Sequence, residues 1–462
     1  MTTAYAHFIG VGGAGMSGLA RVLHERGIPV TGSDLKPSRY TSMLTALGVP
    51  VTIGHDAANV GDPEIVVVST AIPQSNPELA SATALGKEVW PRARMLAHLA
   101  GDDQTLAVAG THGKTTTSSM LAVAARGIDL DPTFLIGGEV RDVGTNAHCG
   151  GGNHYIVEAD ESDGSFLFLD PYVAIITNIE ADHMDHYGSL EEIIETFGRF
   201  IDRVHPEGAT VVWAEDPGLV ALATSRSKAR VITYGTGPDA TVRCEQLGPE
   251  GLGSRYAVTF PDGRRIEGTL AVPGEHNVLN ASGVLAALWA LGKDVAGAIE
   301  ALAAFGGVRR RFDKVGEVDG VWVVDDYAHH PTEVKATITA ARAAGFDRLW
   351  VVFQPHRYSR TEAFRREFGA AFEGADQVVL MDVYSAGEVP IPGVTGKTVL
   401  DELLLSEPHA AVAYFPHRAD IGGYVADRVR RGDLVMTMGA GDVTTLAGDI
   451  VRALEGRAGS AA

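Results

Sequence analysis

The stretch Leu106-Ala-Val-Ala-Gly-Thr-His-Gly-Lys-Thr-Thr-Thr117 has the residues of a phosphate cradle: an apolar run feeds a glycine turn, and Lys114 and three threonines follow. Leu106 to Ala109 suits a buried strand, and Thr115 to Arg126, stopped by Gly127, suits a helix with Met120, Leu121 and Val123 inward. The lysine therefore stands at a helix start, where unpaired N–H groups and a partial positive charge attract phosphate oxygens. Lys114 adds a full charge and Thr115 a hydroxyl for magnesium. Val108 stands five residues before Gly113, so the loop is a shortened variant of G-x-x-x-x-G-K-[ST]. A strand-to-helix turn with a chance lysine is the plain alternative; the reading adopted is an ATP phosphate cradle.

A second glycine loop lies near the start. Residues from Ala6 to Val11 read as a strand, Gly10-Val-Gly-Gly-Ala-Gly15 as a turn, and Met16, Leu19, Val22 and Leu23 as the inward face of a helix running to Gly27. A strand from Val30 to Ser33 then ends at Asp34, roughly 20 residues past the glycines, where an acid can bind a ribose hydroxyl. On spacing alone this is a dinucleotide site; close helix-on-strand packing is the alternative use of the glycines.

Two later strand ends carry acids and histidines. Tyr155 to Glu158 delivers Glu158, Asp160, Glu161 and Asp163, and Val173 to Ile179 runs into Glu180-Ala-Asp-His-Met-Asp-His186. In open parallel sheets ligands gather at such carboxyl ends. His183 and His186 could share a helical face and bind zinc, but no cysteine is near and a phosphate loop calls for a hard cation with oxygen ligands, so magnesium ranks above zinc. For any one of these side chains, solvation or helix capping is the commoner role, and Asp163 and His186 are left there.

These motifs need a scaffold. The 462 residues suggest about three domains. A hydrophobic content of 45% argues against disorder, and 55 glycines fit many tight strand-to-helix turns. The net charge of −20 repels nucleic acid and anionic membrane, so an anionic substrate must be captured by locally placed Arg, Lys and helix starts. Cys149 and Cys244 are too few for a disulfide framework, the first residues lack a signal-peptide pattern, and no apolar run is long enough to span a bilayer, so a cytoplasmic protein without membrane insertion is expected.

Strand-like runs at Ile65 to Ser69 and near Val89 complete a first α/β layer, with a junction at Gly101-Asp-Asp-Gln104. Val211 to Leu270 reads as short β runs without evident chemistry. Pro273-Gly-Glu-His-Asn-Val-Leu-Asn280 begins a helix that runs through Leu285 and Leu288 to Gly292; Asn277 and Asn280 share a face, and spacing alone favours helix caps. Arg309-Arg-Arg311 sits in a linker. In the last third, strands from Val321 to Val324, Leu349 to Phe353, Val378 to Val383 and Leu434 to Met438 end in segments dense in Arg, His, Tyr and Asp, which predicts a substrate site on one sheet edge.

With those residues in hand, the chain resembles the Mur ligases over nearly its whole length. The resemblance is carried by Gly-Val-Gly-Gly-Ala-Gly-Met-Ser-Gly (10 to 18), Gly-Thr-His-Gly-Lys-Thr-Thr (110 to 116), Glu-Ala-Asp-Glu-Ser-Asp (158 to 163) and Asn-Ile-Glu-Ala-Asp-His-Met-Asp (178 to 185). His-Asn-Val-Leu-Asn (276 to 280), Arg-Arg-Arg-Phe (309 to 312), Asp-Asp-Tyr-Ala-His-His-Pro-Thr-Glu (325 to 333) and Phe-Gln-Pro-His-Arg-Tyr-Ser-Arg (353 to 360) follow. It implies an α/β fold of three domains: a Rossmann-like UDP-sugar-binding domain over 1–101, a central P-loop ATPase-type sheet over 102–311, and a Rossmann-like amino-acid-binding domain over 312–462.

The implied reaction joins an amino acid to the lactyl carboxylate of a UDP-sugar through an acyl phosphate, and within the family the motifs point to UDP-N-acetylmuramate, L-alanine and ATP as substrates, with two magnesium ions. The first glycine loop then holds UDP rather than a dinucleotide, through Gly10, Gly12, Gly13, Ala14, Gly15, Met16, Ser17 and Asp34. ATP falls to Gly110, Thr111, His112, Gly113, Lys114, Thr115 and Thr116, with Asn277 and Asn280 near adenine and Arg311 on the phosphates. Thr115 would serve the first magnesium, and Glu158 and His183 the second. Asp326 belongs to the ATP-side closure, and Tyr327, His329, Arg357 and Arg360 to the amino acid. Catalytic weight falls on Lys114, Glu158, His183, Arg311 and Asp326. Ala328 stands where glycine is expected and Glu275 where a basic residue is commoner. Closure of the last domain, with hinges at Gly306 and Gly307, and a monomer or weak homodimer are expected. The competing readings are an oxidoreductase, a regulatory ATPase, and a sister ligase that attaches a whole tripeptide to the same sugar.

Overall fold

A computed structural model describes residues 5–101, 103–182, 184 and 187–461, the last three as backbone only. Among the described residues the strands form three sheets. The chain divides into two compact units: residues up to Glu245 with Ala257–Gly268 and Leu279–Phe305, and Gln246–Tyr256 with Thr269–Val278 and Gly306 onward.

The first unit carries two sheets. The first is wholly parallel, in the order Val51–Ile53, Val30–Asp34, Ala6–Ile9, Ile65–Val68, Glu88–Pro91. Its helix Ala14–Glu25 buries Met16, Leu19, Val22 and Leu23, the stripe expected from the sequence. The second sheet centres on Gln104–Ala109, which pairs in parallel with Val173–Ile176 on one side and His154–Glu158 on the other. Leu106 to Ala109 is buried on both faces, as a central parallel strand requires. The helix Lys114–Gly127 starts one residue earlier than predicted; Met120 and Leu121 are buried and Val123 half-buried. Gly127 is its last residue and must be glycine, since a Cβ there would stand 2.2 Å from Ala301 Cβ in the helix Val295–Ala303.

The two sheets share one core: Leu19 and Leu23 belong to the same buried cluster as Val157 and Phe166. Asn146 Nδ2 ties the hairpin Thr133–Val140 and Thr145–His148 to the Ala14 carbonyl at 2.9 Å. The region read as rich in short β runs also contains a helix, Pro217–Arg226, whose start is fixed by Pro217 and by Asp216 accepting from Leu219 N–H at 2.9 Å; the Asp-Pro start signal outweighs the β-type neighbours.

The second unit has a six-stranded sheet, Asp313–Val318, Val321–Asp326, Asp433–Met438, Arg348–Phe353, Gln377–Leu380, Val412–Tyr414, parallel except for the antiparallel edge strand Asp313–Val318. Pro331 takes the first position of the helix Pro331–Ala343, as read from the sequence.

Candidate functional site

In the first unit, the strand Gln104–Ala109 delivers the phosphate loop at the carboxyl edge of its sheet. Gly110 and Gly113 make the bends with φ of +132° and +82°. A Cβ at Gly110 would stand 2.1 Å from Thr177 Oγ1, and one at Gly113 3.0 Å from Asn280 Oδ1, so both positions require glycine and Asn280 lies against the loop. The segment after Val173–Ile176 braces the loop. His112 N–H donates to Asn178 Oδ1 at 2.9 Å, and the His112 carbonyl accepts from Thr177 Oγ1 at 2.5 Å and Asn178 Nδ2 at 3.1 Å. Thr177 and Asn178 were not singled out from sequence; their place directly after a parallel strand was the available signal.

Lys114 turns back over the loop. Its Nζ donates to Gly110 O at 2.5 Å, Thr111 O at 3.2 Å and Glu161 Oε1 at 2.7 Å. Burial disfavours its charge, yet Glu161 and Asp160 outweigh that and hold the ammonium above the usual lysine range. Thr115 Oγ1 donates to Glu158 Oε1 at 2.9 Å, while Glu158 Oε2 accepts from Gly137 N–H at 2.8 Å. This hydroxyl and carboxylate beside a helix start form a hard oxygen set that fits magnesium. Asp163 accepts from Ser165 N–H at 2.9 Å and stabilises a turn. His183 and His186 lie outside the described residues.

At the first glycine loop Gly10 has φ of +82°, and Gly12 N–H donates to Asp34 Oδ2 at 2.8 Å. Asp34 thus braces the loop itself. Gly12, Gly13, Ala14 and Gly15 present backbone at the start of the helix Ala14–Glu25, whereas Met16 is in the core and Ser17 Oγ donates to Ala14 O at 3.0 Å, so neither points a side chain outward. The Arg92 guanidinium lies over Gly15, where a Cβ would meet Nη1 at 2.9 Å, and faces Asp160 at 3.7 Å. A cavity of about 90 Å³ lined by Gly15, Arg92, Leu135, Gly137, Glu158 and Asp160 joins this loop to Glu158. Arg92 was missed because it sits on an otherwise ordinary helix.

In the second unit, Asp326 Oδ2 accepts from Phe312 N–H at 2.7 Å and Oδ1 from Ala328 N–H at 2.8 Å; burial pushes its carboxyl up to about 6, against the pull of Arg311. Arg310 at φ +61° and Phe312 at +46° flank Arg311, which lies over the Tyr327 ring at 5.2 Å and reaches Glu333 at 3.6 Å. His329 Nδ1 is 2.9 Å from Tyr327 O and its ring 5.6 Å from His356, which stacks on Tyr384 at 5.7 Å. Arg360 is buried, with Nη1 3.3 Å from His356 Nδ1. Arg357 adopts φ +69°, a strained backbone for a residue with a side chain, and its Nε is 3.9 Å from Glu388 Oε1. Tyr327, His329, Arg357 and Arg360 thus share one sheet edge, and Glu333, His356, Tyr384 and Glu388 join them. Asn277 is not a cap: it sits inside the helix Glu275–Ala290 and its Nδ2 donates to Pro273 O at 2.6 Å, whereas a cap accepts from N–H. His276 beside it is half-buried, and loss of hydration pushes its imidazole down to about 4, with Arg311 adding to the effect.

The chain matches the profile of the Mur ligase middle domain over residues 108–288, the Mur ligase family catalytic domain over 5–104 and the Mur ligase glutamate ligase domain over 310–441. It is 48% identical over 463 residues to the UDP-N-acetylmuramate–L-alanine ligase of Saccharopolyspora erythraea, covering 98% of this chain and 94% of that protein. The chain belongs to the Mur ligase family. A second Mur ligase of the same name, from Mycolicibacterium vanbaalenii, is 48% identical over 468 residues, covering 98% and 96%. The crystal structure of UDP-N-acetylmuramate-alanine ligase MurC from Thermotoga maritima superposes with a TM-score of 0.82 at 30% identity over 98% of this chain and 99% of that one. A murein peptide ligase from Psychrobacter arcticus, at 24% identity and a TM-score of 0.72 over 98% of both chains, shares the Mur ligase fold. The α/β fold with three sheets expected from the sequence is therefore that of the family.

Proposed function

We propose that this Mur ligase joins L-alanine to the lactyl carboxylate of UDP-N-acetylmuramate, converting ATP to ADP and phosphate, as a cytoplasmic step of peptidoglycan precursor synthesis. The observation that carries this reading is the near full-length identity of 48% to relatives named for that reaction, together with the braced phosphate loop. Residues 1–101 take the UDP-sugar through the first glycine loop, 102–311 take ATP, and 312–462 take alanine. Lys114 and Arg311 neutralise charge on the phosphates, while Asn277 and Asn280 lie toward adenine. Thr115 and Glu158, with His183, hold magnesium, which neutralises phosphate oxygens when bound. Asp326 fixes the Phe312 and Ala328 backbone beside Arg311 and so orients it.

A carboxylate is a poor electrophile. Transfer of the γ-phosphoryl group to it gives an acyl phosphate, and the alanine amine then displaces phosphate to form the amide. Catalysis in such a reaction is mostly positioning and charge stabilisation, with reacting atoms brought to roughly 3–3.5 Å. Arg357 and Arg360 offer the planar donors that suit an amino-acid carboxylate. The test is phosphate release from ATP and magnesium with UDP-N-acetylmuramate and, separately, L-alanine, glycine, L-serine or the tripeptide, with product mass recorded. Release that requires sugar and L-alanine, with the mass of their amide, is expected. Release only with the tripeptide assigns the sister activity, and release without UDP-sugar a regulatory ATPase.

A further inference from the structure

The phosphate-loop lysine has its donors committed within the first unit. An ammonium has three N–H groups, and Lys114 Nζ lies within hydrogen-bond distance of Gly110 O, Thr111 O and Glu161 Oε1. A phosphate oxygen can engage Lys114 only by displacing one of them. Two are loop carbonyls that keep the ammonium over the glycine turn. The third is an anion, which another anion replaces in kind.

Glu161 bonds the Lys114 ammonium rather than the loop backbone. It lies on the turn after His154–Glu158 with its side chain 3% exposed, and its Oε2 has no hydrogen-bond partner among the described residues. Its carbonyl accepts from the Tyr187 hydroxyl, which fixes the turn, so the carboxylate is held facing the lysine. A buried carboxylate with one oxygen unsatisfied is costly unless a charge partner or a proton offsets it.

We propose that Glu161 is a positioning residue that competes with the nucleotide's phosphates for Lys114 and releases the lysine on binding. The inference rests on Lys114 contacting ATP phosphate, as in the function proposed above. When Lys114 leaves, the carboxylate loses its counter-ion. Burial already pushes the Glu161 carboxyl up to about 7, with Lys114 opposing and Asp160 adding to the rise. Among the described residues, the other groups facing this turn are the Tyr187 hydroxyl, Asp163, Glu192 and Arg92, which faces Asp160 at 3.7 Å. None of these described groups replaces the ammonium, so Glu161 takes up part of a proton from solvent as ATP binds. Proton uptake on binding means that affinity falls as pH rises above about 7.

Calorimetry of ATP binding to the full chain, with magnesium and no UDP-sugar, in two buffers of different ionisation heat tests this. Wild type should take up a fraction of a proton at pH 7.5 on the order expected for a carboxyl titrating there. Glu161→Gln should bind ATP several-fold tighter, without that uptake and with a flatter pH profile. Glu161→Asp, which keeps the charge, should retain the uptake. Equal or weaker binding by Glu161→Gln, or uptake that persists in it, overturns the proposal. Lys114→Ala separates the two levels: if it binds ATP as wild type does, the phosphate-loop assignment fails and this inference with it. If it loses binding while Glu161→Gln shows no gain, only the role of Glu161 fails.

Discussion

Thr115 Oγ1 donates to Glu158 Oε1 at 2.9 Å across 43 residues of sequence. One group opens the helix after Gln104–Ala109 and the other closes His154–Glu158, strands that pair in parallel. Adjacent carboxyl ends make this meeting automatic once the sheet order is set. Replacing Thr115 with Val, or Glu158 with Gln, should lower kcat by about 10²–10³ and raise the magnesium requirement. Phosphate release over a magnesium titration checks it; an unchanged requirement would count against their role as metal-holding groups.

Lys114→Ala should reduce turnover by roughly a thousand-fold or more, because a charge aimed at the transferring phosphoryl is lost. UDP-sugar binding, measured by calorimetry, should be nearly unchanged, since the first glycine loop stands on a separate sheet. Equal loss of both would refute the division of labour.

Arg360→Ala should raise the alanine KM about ten- to hundred-fold by removing a charge-assisted contact. Arg360→Lys should restore little, because a point charge cannot reproduce the planar fork. An effect confined to the ATP requirement would sink the assignment.

Glu78 supplies a pH-dependent stability. It is fully buried in the first sheet's network, accepting from Ser33 Oγ at 2.5 Å and Asn59 Nδ2 at 2.7 Å, with His7 Nε2 at 3.1 Å and His55 Nδ1 at 3.2 Å. Burial would raise its carboxyl, but these partners outweigh burial and lower it from 4.5 to about 2. The folded state therefore prefers the ionised form, and the stabilisation is full above the unfolded value and lost as pH falls from 4.5 toward 2. Glu78→Gln should cost roughly 2 kcal/mol at neutral pH, after allowance for screening, with the difference narrowing by about pH 3. Thermal melts across pH measure it; a pH-independent gap would show that the ionised form is not what the network holds.

Much of the architecture was legible locally. Lys114 after Gly113 marked a helix start, Asp34 a strand end and Pro331 a first turn, because each signal acts through its own few residues of backbone. Pro217 was as clear a start signal, yet the β-type residues around it hid the helix Pro217–Arg226.

The partners of those residues were not legible. The sequence by itself determined which residues carry charge and hydroxyl, where strands end in glycine turns, and the family to which those motifs belong, since all of these reside in residue order. Only the tertiary structure decided that Thr177 and Asn178 brace the loop, that Asp34 turns to Gly12 N–H, that Met16 and Ser17 face inward, and that Glu161 rather than Asp160 takes Lys114 at 2.7 Å. Those contacts are set by strand order and by which buried polar group finds a partner once water is excluded, and neither is encoded at any single position along the chain.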